Sequence, residues 1–206
     1  MTKKSPTPLH GRRALQAEQT RQDILEAARR LFATRGYAAT SLKDVAAAAG
    51  VSVQTLYDSI GNKAEIVRRL NDLIDAEADV GEIATRLETE TDPRAVARIP
   101  AVFTRRLVER WDDIVRGALN GAQAEPALAA MVEEGGKRHR SGAVAVARRL
   151  AALGALTPDL TVDEAAITLA ALSDVRVALM LIDDHHFDLD QVEDWIADTT
   201  ERAVLV

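Results

Sequence analysis

The chain has 206 residues, 47% hydrophobic and only 3% aromatic, with a formal net charge of −6 and no cysteine. That is enough for one large or two small domains with a proper core, while the missing thiols exclude disulfides and thiolate chemistry and suit a reducing cytoplasm. No unbroken apolar run approaches the ~20 residues that span a bilayer, and the N-terminal MTKKSPTPLHGRR lacks the apolar stretch of a secretory signal.

An acidic chain taken whole argues against a nucleic-acid partner, but the charge is unevenly spread. Residues 1–70 hold 12 Lys+Arg against 6 Asp+Glu, a balance of +6, and residues 71–206 hold 14 against 26, a balance of −12. A basic head on an acidic body is what a phosphate-facing module would show. The alanine-rich, aromatic-poor composition favours closely packed helices over sheet.

In chain order, residues 1–17 read as a flexible basic arm, with Pro6 and Pro8 as helix breakers. Its Lys3, Lys4, Arg12 and Arg13 either reach a minor groove or phosphates or simply keep a tail soluble. A first helix is expected from about Glu18 to Arg35, with Ile24, Ala28, Leu31 and Phe32 as its inner stripe, Gly36 closing it and Arg21 a candidate phosphate contact.

The most informative stretch is TSLKDVAAAAGVSVQTLYDSIGNK, residues 40–63. Leu42, Val45, Ala46 and Ala49 fall at helical spacing. Thr40 and Ser41 precede them as N-cap candidates, and Asp44 stands three after Ser41 as an acidic capping-box partner. Gly50 suits the left-handed position that ends a helix. Ser52 then caps a second short helix from Val53 to about Asp58, whose Leu56 points back at the first. Its outer side keeps Val53, Gln54, Thr55 and Tyr57. The pattern is a helix-turn-helix whose outer face hydrogen-bonds and touches methyl groups while carrying little charge.

The run AAGVSVQTLYDSIGNKAEI, with ILEAARRLFATRGYAATSLKDVA upstream, resembles the signature of the TetR family of one-component transcriptional regulators. About sixty residues carry the likeness; Ile60, standing where the family usually has an aromatic residue, is a departure expected to repack the contact. The resemblance implies an all-α protein of about nine helices: a three-helix DNA-binding head over residues 18–63, then a helical effector-binding and dimerisation domain over 64–206. It also implies that Lys63, opening the fourth helix, meets phosphate, where a helix N-terminus adds N–H donors.

That fourth helix is expected to run to about Glu88 through Ile66, Leu70, Leu73, Ile74, Ala78, Ile83 and Leu87, with a bend at Gly81. Further helices are expected over 93–110 (divided or kinked at Pro100), 111–119 and 126–153, the last interrupted near Gly135, Gly136 and Gly142. The run Lys137-Arg138-His139-Arg140 reads as an exposed polar face, less readily as an anion site. An eighth helix, from Val162 or Asp163 to Asp183, is apolar nearly all round, and a ninth spans about Leu189–Ala203. The resemblance implies that these last two pair with their twins in a homodimer, which gives the two-fold symmetry of an inverted-repeat operator.

Gln54 and Thr55 are the candidates for base edges on a double-stranded DNA operator, with Val53 available to a thymine methyl. Tyr57, Lys63, Thr40, Ser41 and Lys43 suit phosphates, and Ser52 divides between capping and phosphate. For a small-molecule effector the candidates are Phe103, Leu107, Trp111, Leu119, Met131 and Val146. Leu150, Asp174, Arg176 and Met180 complete that set; each is also explained as ordinary core or, for Asp174 and Arg176, as a charge pair across a dimer.

The segment DDHHFDLD, residues 183–190, offers imidazoles and carboxylates, but a helix end scatters them, so no metal and no other cofactor is expected. No cysteine, nucleophile elbow or glycine-rich phosphate loop is present, so the reading is of a cytoplasmic repressor and not an enzyme. The alternative within DNA binding is a regulator, repressor or activator, that answers to partner proteins and takes no small molecule.

Overall fold

The computed structural model describes residues 8–77 and 80–206, and among them every regular element is an α-helix. The ten helices are α1 (Pro8–Arg35), α2 (Leu42–Ala48), α3 (Val53–Ser59), α4 (Lys63–Glu77) and α5 (Val80–Thr89), then α6 (Pro93–Gly121), α7 (Pro126–Ala152), α8 (Val162–Leu172), α9 (Val175–His185) and α10 (Leu189–Val204). By contacts the chain forms two compact units, one of residues up to 72 with 116–131, the other of 73–115 with 132–206.

In the first unit, α1 buries Ile24, Ala27, Ala28, Leu31 and Phe32, and Gly36 closes it at φ +82°. The helix starts at Pro8, not near residue 18 as expected for a flexible arm. Proline is harmless in the first turn of a helix, where its N–H would be unpaired anyway, and Ala14, Leu15, Gln16 and Ala17 are strong helix formers. Arg12 and Arg13 are exposed on it, whereas Lys3 and Lys4 lie outside the described residues.

The corner between α2 and α3 forms by the local chemistry that the residues dictate. Ser41 caps α2, and the capping box is complete: Asp44 N–H donates to Ser41 Oγ at 3.2 Å, and Ser41 N–H donates to Asp44 Oδ2 at 2.9 Å. Gly50 takes φ +68°, a conformation that costs a side chain-bearing residue strain. Ser52 caps α3 by accepting from Thr55 N–H at 3.0 Å. Val45, Ala46 and Leu56 are buried at the crossing, and Ile60, also buried, keeps the apolar contact expected there.

The second unit is built around Val96, Ala97, Ala147, Leu150, Ala165, Leu169 and Val204, mostly small side chains that let helices approach closely. Arg98 of α6 donates to Asp194 of α10 at 2.9 Å, and Arg105 to Asp190 at 2.8 Å. Such exposed pairs contribute about 0–1 kcal/mol each and register more than strength.

Three features differ from expectation. The helix expected over 63–88 is not one of them: α4 and α5 are helical on both sides of residues 78–79, which lie outside the described residues. α6 is continuous through Pro100, because buried neighbours Ala97, Ile99 and Ala101 outweigh one lost hydrogen bond, and it kinks at Trp111 (φ −132°, ψ 16°), the boundary expected between the helices over 93–110 and 111–119. α7 is uninterrupted across Gly135, Gly136 and Gly142. Glycine costs about 1 kcal/mol per helical site, and the buried Ala143, Val146, Ala147 and Leu150 on the same helix offset that.

The eighth helix is divided. α8 ends at Ser173, whose carbonyl accepts from the buried Thr104 hydroxyl at 2.8 Å, and Asp174 caps α9 by accepting from Arg176 N–H at 2.8 Å. This division matters for a second reason: residues 162–185 contain an 18-residue window of mean hydropathy 1.9, long and apolar enough by composition to cross a membrane. The break leaves two helices of 11 residues, each well short of a span.

Two outcomes test this part of the fold. Leu56→Ala should cost about 2–5 kcal/mol, since the emptied site sits at a helix crossing that cannot collapse freely. The Ser41 hydroxyl and then its N–H hold the Asp44 carboxyl below its usual value. A depressed folded value means stability present above the unfolded value, near pH 4, and lost as pH falls through the folded one. Denaturant titrations at pH 5 and pH 3 should therefore show a larger acid loss in the wild type than in Asp44→Asn; equal losses would contradict the capping box.

Candidate nucleic-acid interface

The outward side of α3 follows from which residue it buries. Leu56 is 0% exposed; helical period turns Gln54 to the opposite side with Thr55 and Tyr57 (50% exposed) on its flanks, while Val53 (38%), on the same side as Leu56, is exposed at the first turn of the helix. Ser52 Oγ lies 2.8 Å from Thr55 Oγ1, so capping and Thr55 share one small network. Gln54 Nε2 donates to Asp58 Oδ1 at 2.8 Å, one turn along the same face. Apart from Asp58 this face is uncharged, able to donate, to accept and to touch a methyl group.

Of the expected phosphate contacts, Ser41 and Lys43 are exposed around the start of α2. Thr40 is different: it is 2% exposed, and its hydroxyl donates to the Gly36 carbonyl at 2.9 Å, tying the turn after α1. That hydroxyl faces the interior of the head, so the phosphate role expected for it lacks an exposed atom. Arg21 forms an ion pair with Glu18 on the same helix.

Lys63 is half-buried at the first position of α4, with its ammonium 3.9 Å from the centre of the Tyr37 ring. A cation over a ring face is held electrostatically without losing its charge. Burial pushes the Lys63 pKa down while the negative charge of Glu125 opposes that shift. Burial, then Glu125, pushes the Tyr37 phenol up. Tyr37 and Glu125 were not among the sequence candidates. An aromatic residue directly after the glycine that closes α1 was a usable signal for Tyr37, but nothing local to the head pointed to Glu125, which arrives from the corner between α6 and α7.

The effector candidates do not share one described pocket. Leu119 and Met131 belong to the first unit; Val146 and Leu150 are core of the second, and Trp111 is buried at the kink of α6. Phe103 and Leu107 are half-buried, and Met180 is exposed on α9. Asp174 and Arg176 pair with each other at 3.2 Å where α9 begins, which accounts for both charges within one chain. A pocket of about 310 Å³ is lined by Arg94, Asp198, Glu201, Arg202, Leu205 and Val206, none of them a candidate.

In the basic run of α7, Lys137 pairs with Glu133 at 2.8 Å and His139 Nε2 lies 2.9 Å from the Ala170 carbonyl. Within residues 183–190, His186 closes α9 at φ +58° and Asp188 caps α10. Among the described residues no three His, Cys, Asp or Glu side chains gather as a metal site would require.

With this geometry in view, residues 24–70 match the family model described as bacterial regulatory proteins, tetR family. The chain is 41% identical over 83 residues to the HTH-type transcriptional regulator TtgR of Pseudomonas putida, covering 40% of each chain. It is 34% identical over 85 residues to the HTH-type transcriptional regulator AcrR of Shigella flexneri, covering 40% of this chain and 39% of that one. The matched part thus spans about two fifths of these relatives. In three dimensions it resembles the SmeT–triclosan complex (TM-score 0.70, 23% identity, 91% and 92% of the two chains). It also resembles NalD, the secondary repressor of the MexAB-OprM multidrug efflux pump in Pseudomonas aeruginosa (TM-score 0.71, 22% identity, 92% and 98%). At such identities the likeness is one of fold.

The Tyr37–Lys63–Glu125 arrangement is open to direct titration. In a Tyr57→Phe background, which leaves Tyr37 as the one tyrosine, the phenol should titrate above 10, its ordinary value. Adding Glu125→Gln should lower the midpoint, though not back to 10, since burial remains. An unchanged midpoint would remove Glu125 from the site.

Proposed function

We propose that this chain, whose residues 24–70 match the tetR family of bacterial regulatory proteins, is a member of that family and a sequence-specific DNA-binding repressor, released from an inverted-repeat operator by a small-molecule effector. The observation that carries the reading is α3, anchored inward by Leu56 and turning Val53, Gln54, Thr55 and Tyr57 to the outside with almost no charge. In this reading Gln54 and Thr55 meet base edges, Val53 meets a thymine methyl, and Tyr57, Ser41, Lys43 and Lys63 hold phosphates, which position the head without specifying sequence. Ser52 acts mainly through its cap.

The protein works as a homodimer in this scheme, through the helices over 162–204. Support comes from Ile167, 69% exposed on α8, and Met180 on α9, apolar side chains that a second copy would cover. In this scheme residues 18–63 are the DNA-binding head and 64–206 the effector and dimerisation body, although 64–72 and 116–131 pack in the same compact unit as the head, and the whole acts in the cytoplasm and without catalysis. Fold-level analogy supports an effector: the SmeT structure holds triclosan, and NalD is named a repressor of an efflux pump. One observation favours a second reading, a regulator without a small molecule: the effector candidates are dispersed between core, cap and surface.

Duplex binding by fluorescence anisotropy tests the DNA reading. Lys63→Ala should weaken binding to every sequence and reduce the salt slope by about 1. Gln54→Ala should instead change preference at one position of each half-site; equal loss on all operator variants would contradict a base contact. A thermal-shift screen of apolar and amphipathic compounds separates the two regulatory readings, since a ligand held only by the folded state raises its melting temperature.

A further inference from the structure

The one acid on α3 stands on its reading face. Asp58 is exposed, no lysine or arginine stands on the seven residues of α3, and a carboxylate there repels the phosphates that a DNA-reading helix approaches. Its position is explained by Gln54. The two are four residues apart, neighbours on a helix surface, and Gln54 Nε2 lies 2.8 Å from Asp58 Oδ1. Amide nitrogen and oxygen are exchangeable in most structures, but not in this one: a carboxylate only accepts, so the atom that faces it must be the nitrogen.

Fixing the nitrogen fixes what the rest of the amide offers. One of its two N–H groups is taken by Asp58, and Oε1 and the second N–H are left, so the amide meets whatever approaches the helix with its acceptor and one donor. A free glutamine has no such bias, since it turns its amide either way to suit donors or acceptors. The nearby hydroxyls do not compete for Asp58, because Ser52 and Thr55 are occupied with each other and with the α3 cap.

We propose that Asp58 is a specificity-determining residue: by holding the Gln54 amide nitrogen it presents Oε1 to the base edge, so that Gln54 reads an exocyclic amine, adenine N6 or cytosine N4, and rejects guanine. Adenine uses both the acceptor and the remaining N–H, whereas guanine shows only O6 and N7 acceptors in the major groove and so sets one of them against Oε1. This inference rests on the DNA-binding reading above and deepens it, converting one contact residue into a rule for one operator position. Asp58 is a positioning residue; it touches Gln54 and no base.

The test is selection of duplexes from a random pool by the full-length wild type, Asp58→Ala, Gln54→Ala and the double variant, followed by affinity measurement on the selected operator with each base at the Gln54 position. For the wild type, guanine at that position should bind at least ~10-fold more weakly than adenine or cytosine, the scale of one well-made base contact. Asp58→Ala should bring guanine to within about 3-fold of them, a gain the lost donor constraint predicts. Gln54→Ala should erase the preference there, and the double variant should match it. Asp58→Ala that tightens binding to every base equally, with guanine still rejected, would overturn the proposal and leave Asp58 as a charge alone. A gain in the double variant equal to that in Asp58→Ala would also overturn it, since the effect would not pass through Gln54. A wild type that selects no sequence overturns the DNA-binding reading itself; one that selects a sequence which Asp58→Ala leaves unaltered overturns only this inference.

Discussion

A seven-residue helix has no stability of its own, because nucleation consumes more backbone entropy than its few hydrogen bonds return. α3 exists as a helix because Leu56 is sealed against the rest of the head and Ser52 accepts the first loose N–H. That single inward anchor decides the function as well as the fold. Once position 56 points in, position 54 must point out with 55 and 57 on its flanks, so helical period settles most of the chemistry that meets a partner. The turn before it is held to the same end: Gly50 takes the left-handed conformation, and the Ser41–Asp44 box closes the start of α2. Substituting the anchor would lose the head, whereas substituting the outer face would change only what it meets.

The charge of the head is arranged around this face more than on it. Basic residues sit at Lys43 and at Lys63, and the outer side of α3 itself stays close to neutral. Lys63 is not a freely moving cation. It rests over the Tyr37 ring, partly desolvated, with Glu125 close enough to bias both groups. Glu125 comes from the corner between α6 and α7, segments whose other ends belong to the second unit, so a residue far along the chain tunes the electrostatics of a head residue. The charge state of Lys63 therefore depends on residues outside the head motif.

The second unit shows how side chain–backbone bonds set helix ends where composition would let the helix run on. Residues 162–185 have nearly continuous apolar character, yet Thr104 captures the Ser173 carbonyl and Asp174 offers a fresh cap. The opposite happens in α6 and α7, where Pro100 and three glycines are carried inside long helices because buried neighbours more than offset their cost. The break at Ser173 depends on Thr104, distant in the chain, whereas α6 and α7 are carried by buried residues of the same helix; in both, intrinsic propensity is overruled.

What the sequence by itself determined is the head. Ser41, Asp44, Gly50, Ser52 and Leu56 act on neighbours within one or two turns, so their spacing encodes cap, corner, cap and anchor directly, and the outward set Val53, Gln54, Thr55 and Tyr57 follows. The all-helical class, the ends of the helix over 126–152 and the helix over 189–204 were legible for the same reason, since apolar period is a local property. Only the tertiary structure decided that Thr40 turns inward to tie the chain after α1, that Pro8 starts a helix, that the stretch after Val162 breaks at Ser173, and that Asp174 and Arg176 satisfy each other. It alone brought Tyr37 and Glu125 to Lys63. These outcomes depend on which surfaces meet across long separations, and a one-dimensional pattern of periods and caps carries no record of that meeting.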